Sequence, residues 1–247
     1  MHIELIGSTS AGKTTLAKKM AEAGAKNGTV VSLSDDFMLD QMRLNWVGND
    51  FIRRRLVEAV AFAIALTRLS KYKEFIDFVI AEGRNSPGSW FYKINRVRNV
   101  IRKIGIFEFI ARRAGSQRVV LADNEGLLLG VHNLFVHQDS HADPGKIARY
   151  VELVPLPDVV LYLKQDEDVL ISRTLARGHS RVKSEQDEVA HFIRQAVGVF
   201  NEMVKLPALQ RKLLIVNGEL NVEYNGADAG NAVFRQVADL VQNGRTS

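Results

Sequence analysis

Residues 7–14, Gly-Ser-Thr-Ser-Ala-Gly-Lys-Thr, constrain the fold more than any other stretch of the chain. They satisfy the spacing G-x-x-x-x-G-K-[ST], in which two glycines let successive backbone N–H groups turn inward around a phosphate. The flanks supply the context that this spacing needs. His2-Ile3-Glu4-Leu5-Ile6 alternates polar and apolar residues and predicts a strand. Leu16, Ala17, Met20 and Ala21 then recur at helical spacing, with Gly24 placed to end that helix. A strand, a glycine-rich loop and a helix put the positive end of the helix dipole at the loop. Gly7, Ser8, Thr9, Ser10, Ala11, Gly12, Lys13, Thr14 and Thr15 are therefore the expected contacts of a nucleoside triphosphate. Lys13 is expected to reach its β- and γ-phosphates, and the Thr14 hydroxyl to ligate Mg²⁺.

Two further apolar runs end in acids. Thr29-Val30-Val31-Ser32-Leu33 predicts a buried parallel strand followed by Ser34-Asp35-Asp36-Phe37. Ligands of open α/β sheets gather at the carboxyl ends of strands, so Asp35 and Asp36 are expected near the phosphates; a helix cap or solvated turn is the alternative. Arg118 to Ala122 predicts a third strand, and behind it Asp123, with Glu125 as second choice, is the candidate Mg²⁺ ligand through water. Strands are also expected at 157–163 and 213–217, with a loop over 218–226 and a last helix at 229–241.

Between the second and third strands the pattern turns helical. Helices are expected over 51–66, 72–81, around 94–101 and over 106–111, with a turn at Asn85-Ser86-Pro87-Gly88. This is also where the charge sits. The net charge of +5 is uneven: residues 41–118 carry 16 Lys/Arg against 6 Asp/Glu, and the remainder 17 against 22. The excess reads either as solvated helix faces or as a cap that attracts an anionic acceptor. No recognition module accompanies the basic residues, which argues against nucleic acid.

A helix is expected over 127–138. His132, His137 and His141 do not share one helical face, and a packed or acceptor-contacting histidine is the expected role rather than a zinc ligand. Gln165-Asp166-Glu167-Asp168 opens a helix that runs into Arg173, Arg177 and Arg181, spaced by four and interrupted by Gly178. Such a mobile arm can bring cations to a transferring phosphoryl group, or can be an exposed basic face. The 247 residues contain no cysteine, so disulfides, thiolate metal sites and cysteine nucleophiles are excluded. A chain opening directly into a strand, without an apolar run of membrane length, leads us to expect a cytoplasmic protein.

Together these features resemble the P-loop kinases that include thymidylate kinases and other nucleoside and nucleotide kinases. The likeness covers residues 1–40 and 117–242. Residues 157–163 followed by Arg173, Arg177 and Arg181 are similar to the strand and lid of thymidylate kinases, which makes these arginines lid candidates. Asp35-Asp36-Phe37 is similar to the D-S-F stretch of uridine-kinase-like enzymes, where the first Asp is the base, and this points to Asp35. The Arg-Glu-Pro-Gly stretch and Asp-Arg pair of thymidylate kinases have no counterpart here. The resemblance implies one α/β domain of the P-loop NTPase fold with about five parallel strands. Its core would be residues 1–40 and 117–247 and its basic helical insert residues 41–116. The implied activity is Mg²⁺-dependent transfer of the ATP γ-phosphoryl group to a small anionic acceptor. The alternative is a nucleotide-gated regulatory module, although neither an N-K-x-D nor an L-S-G-G-Q signature occurs.

Overall fold

Parallel strands cannot be joined by tight turns, so a chain that alternates apolar runs with helical segments must cross over the sheet faces. The computed structural model, which describes residues 1–26, 29–86, 89–114, 118–122, 126–136, 142–178, 182, 185–217, 222–224, 237 and 239, follows that rule. The first half contains β1 (His2–Ile6), α1 (Lys13–Lys26), β2 (Val30–Leu33), α2 (Ser34–Gln41), α3 (Asp50–Leu66), α4 (Lys73–Asn85) and α5 (Trp90–Arg113). Then come β3 (Arg118–Ala122), α6 (Gly130–Phe135), α7 (Pro144–Leu153), β4 (Val159–Lys164) and α8 (Glu167–Arg177). The last described elements are α9 (Gln186–Val204), α10 (Pro207–Gln210), β5 (Leu213–Asn217) and β6 (Val222–Tyr224).

The strands form one sheet in the order β2-β3-β1-β4-β5-β6. The first five are parallel, and β6 pairs antiparallel with β5 through Val216 and Val222. This is the α/β P-loop fold, with the loop after β1 lying where the chain switches from β3 on one side to β4 on the other. No helix among the described residues is long and apolar enough to cross a membrane.

Several sequence expectations change in three dimensions. The polar–apolar alternation of β1 does not divide water from core, because all five of its residues are buried between covered faces. β2 is an edge strand rather than a buried one, with Val30 half exposed. Gly24 does not end α1 but lies within it, where a Cβ would meet Val31 Cγ2 at 2.3 Å. Its lack of a side chain leaves room for Val31 and the Thr29 carbonyl oxygen. The helices expected around 94–101 and over 106–111 are one continuous α5. Of the helix expected over 127–138, the described part, 127–136, is helical over α6, positions 137 and 138 lie outside the described residues, and α7 is a helix the sequence reading did not include. Part of the loop expected over 218–226 pairs as β6. The helix expected at 229–241 lies outside the described residues except for Val237 and Asp239, which are helical.

The helices between β2 and β3 are held to the sheet by an apolar cluster of their own. Phe37, Met38 and Leu39 from α2, Val57 and Ala61 from α3, and Ile106, Phe109 and Ile110 from α5 pack around Val120 of β3. The neighbouring β3 residues Val119 and Leu121 face the main core on the other side, as strand alternation requires. α3 and α5 touch through their backbones: a Cβ on Gly105 would lie 1.8 Å from the Ala61 carbonyl oxygen. Glu108, one helical turn further on, accepts hydrogen bonds from Lys71 at 2.6 Å, Arg112 at 3.0 Å and the Tyr72 hydroxyl. Burial pushes its carboxyl up, but these donors outweigh burial and hold it below the usual range.

Gly105→Ala tests the backbone contact. Alanine favours helix by about 1 kcal/mol over glycine, but the overlap with Ala61 dominates. We expect a net loss of about 1–3 kcal/mol, read as a lower urea midpoint at unchanged m-value.

Candidate functional site

Two cavities open at the carboxyl ends of the parallel strands. The first, of about 730 Å³, is walled by the loop after β1, the ends of β4 and β5, and α8. The loop's shape depends on its glycines, Gly7 at φ 140° and Gly12 at φ 94°. Gly7 also has no room for a side chain, since a Cβ would lie 2.7 Å from the Leu163 carbonyl oxygen on β4. Ser10 adopts φ 62°, and its hydroxyl accepts a hydrogen bond from Thr174 Oγ1 at 3.0 Å. Thr174 is buried, so the base of α8 is tied directly to the loop.

Lys13 and Thr14 begin α1, whose positive end faces the cavity. Lys13 Nζ donates to the Gly7 and Ser8 carbonyls, both at 2.9 Å. Thr9 through Thr15 line the space, and Ser8 is buried behind it. Arg173 and Arg177 line the opposite wall beside Gly178, which caps α8 at φ 73°. Lys19, Lys164, Gln165, Val216 and Asn217 also line it, and no motif in the sequence marks them as site residues. Five cations and no carboxylate line the cavity among the described residues. Such a lining suits a polyanion held by backbone amides and positive side chains.

The second cavity, of about 710 Å³, lies beyond the end of β2 between α2, α3 and α5. Asp35 and Asp36 occupy the first turn of α2, so they sit at a helix start rather than in an open turn. Both line the cavity with Phe51, Arg54, Arg55, Glu58, Arg98, Asn99 and Arg102. Asp36 is paired with Arg53 at 2.9 Å. Glu58 bridges Arg55 at 2.8 Å and Arg98 at 2.6 Å, holding two guanidinium groups in the wall. The cationic lining comes from residues 44 positions apart, Arg54 to Arg98, which no short motif joins.

Between the two cavities runs β1, and its Glu4 is 1% exposed. Glu4 accepts from the backbone N–H groups of Leu127 and Leu128, both at 2.9 Å, and Lys103 of α5 donates to the Gly126 carbonyl at 2.9 Å. The start of the segment leading to α6 is thus pinned from the strand below and from the α5 helix beside it. Burial pushes the Glu4 carboxyl up to about 7, against the opposing pull of the two N–H groups and Lys103. An acid in the middle of the strand that leads into the glycine loop was the available sequence signal.

Asp123, Glu125 and Arg181 lie outside the described residues, as do His137 and His141. His132 is buried against Phe192 and Phe200, with ring centroids 5.6 and 6.1 Å away, in a packing role. Among the described residues no three His, Asp or Glu side chains group as a metal site.

No family model and no curated protein matches the chain. Among solved structures it is similar to a deoxyadenosine kinase from M. mycoides with bound dATP, at 15% identity over 100% of both chains with a TM-score of 0.44. The same kinase with dCMP and dCDP aligns at 14% identity over 100% of this chain and 99% of that one, with a TM-score of 0.42. With dCTP the values are 16%, 100%, 99% and 0.38. Agreement of this order leaves the chain's own geometry as the ground for its function.

Glu4 gives a pH signature. Its folded value of about 7 lies above the unfolded value of 4.5, so its stabilising share is complete below 4.5 and is lost as pH rises through about 7. The stability of the native chain relative to Glu4→Gln should fall by roughly 3 kcal/mol between pH 4.5 and 8, measured by urea unfolding at each pH.

Proposed function

We propose that the chain is an ATP-dependent kinase that transfers the γ-phosphoryl group to a small anionic acceptor. The observation that carries this reading is the pair of cavities on one edge of the sheet. One has, among the described residues, five cations and no carboxylate around a glycine loop, and the other has three carboxylates among arginines. In this reading the loop amides, Lys13 and the start of α1 hold the triphosphate. Arg173 and Arg177, with Arg181 beyond Gly178, neutralise charge on the transferring group. Arg54, Arg55, Arg98 and Arg102 hold the acceptor's anionic group, and Phe51 offers an apolar face.

For a hydroxyl acceptor, Asp35 takes the proton as the new O–P bond forms, while the bond between the γ-phosphorus and the β–γ bridging oxygen breaks and ADP leaves. For a phosphate acceptor no strong base is needed, and Asp35 orients the acceptor. The Thr14 hydroxyl, with Asp123 or Glu125, is the donor set we assign to Mg²⁺; oxygen donors at the phosphate end of the loop suit that hard cation. Bound there, Mg²⁺ would neutralise charge on the phosphates.

Incubation with ATP and a metabolite extract, read by mass spectrometry, should yield a product heavier by one phosphoryl group, with ADP formed in proportion to acceptor. Slow ADP release that ignores acceptor would support the gated-module alternative. Lys13→Ala should lower turnover at least about a hundredfold in a protein that melts normally. Asp35→Asn should lower kcat by about 10²–10⁴ while ATP affinity stays within about twofold; a change confined to the KM for ATP would remove Asp35 from the acceptor side. For an anionic acceptor kcat/KM should fall as salt rises, and Arg54→Gln with Arg55→Gln should flatten that dependence.

A further inference from the structure

The helices between β2 and β3 carry a further, apolar feature that shares Arg98 with the second cavity. The first turn of α5 presents Trp90 at 68%, Phe91 at 71% and Tyr92 at 60% exposure, with Ile94 next to them also exposed. Beside them Trp90, Ile94, Val97 and Ile101 meet Phe62 of α3 and Ile80 of α4 around an apolar hollow of about 300 Å³. Lys93 and Arg84 lie on the rim of this hollow and Arg96 nearby on α5; none of the three is ion-paired among the described residues. Residues 80–96 hold Arg84, Lys93 and Arg96 against a single acid, Glu82, which is engaged by Lys146 at 2.8 Å.

We propose that the tip of α5 docks peripherally on an anionic phospholipid surface. Three consecutive residues on an α-helix point about 100° apart, so the rings look outward on different sides of the helix. A protein partner or groove covers one side, whereas a fluid interface surrounds a helix end. Tryptophan and tyrosine are also the side chains that settle at the boundary between headgroups and hydrocarbon. The unpaired cations suit anionic headgroups, and the aliphatic hollow behind the rings suits an acyl segment. A second copy fits less well, because a two-fold contact would set Arg84, Lys93 and Arg96 against themselves. Single-stranded nucleic acid would use the rings and cations but not the aliphatic hollow. Such docking is reversible and independent of phosphoryl transfer, so its test needs no turnover.

Trp46→Phe leaves Trp90 as the sole tryptophan of the full chain. In this protein, vesicles of phosphatidylcholine with about 30 mol% phosphatidylserine should shift tryptophan emission to the blue and carry the protein down on centrifugation. Pure phosphatidylcholine should bind it at least about tenfold more weakly, and 0.5 M salt should release it. Phe91→Ser with Tyr92→Ser should cut binding at least about tenfold, and Arg84→Gln with Lys93→Gln should remove the preference for anionic vesicles, each at unchanged melting temperature. Absence of vesicle binding by the native chain overturns the proposal. So does undiminished binding of the ring variant, self-association that the ring variant abolishes, or displacement from vesicles by a single-stranded oligonucleotide.

Discussion

The position of β1 between β3 and β4 is the constraint from which the rest of the structure follows. Hydrogen-bonded on both edges and covered on both faces, it cannot shift without breaking two ladders. The chain leaving its carboxyl end therefore emerges at a fixed point, where the crossovers on either side diverge and leave a crevice. Gly7 meets β4 there at backbone distance, and the loop turns into α1 with its N–H groups aimed at that crevice. The first cavity is a consequence of strand order, and its cations are placed by elements that each begin or end on the same edge.

The same strand connects the two halves of the site. Glu4 reaches up from β1 to the Leu127 and Leu128 amides, while Lys103 reaches across from α5 to Gly126. A carboxyl that stays partly protonated near neutrality while accepting two amide hydrogen bonds is a compromise between burial and bonding. It ties the helices that wall the second cavity to the strand that supplies the first.

What could be read from the sequence was what local spacing encodes. The loop at 7–14, the positions of the first five strands and the face shared by Arg173 and Arg177 follow from periodicity and turn residues, and the parallel sheet is what the kinase resemblance implies. The misreadings arose where a distant partner decides the outcome. Gly24 looked like a helix terminator because its contact, Val31, lies on the strand that follows rather than along the helix. β6 exists only because β5 offers it an edge, and α5 runs on through its Ile104-Gly105-Ile106 stretch because Ala61 packs against that glycine. The second cavity was legible as a charge surplus and an acid pair at 35–36 but not as a pocket, since Asp35, Arg54 and Arg98 are collected by helix packing and not by any spacing.

The contact of Gly105 with Ala61 has a bearing on how such a site could diverge. Helices separated by side chains can slide or tilt as those side chains change, and a pocket between them drifts with every substitution. Here two main chains rest against each other, so the frame around the second cavity holds as long as position 105 stays glycine. Selectivity in such a frame is free to vary one rim residue at a time, at positions 54, 98, 99 and 102, while the scaffold beneath stays in register.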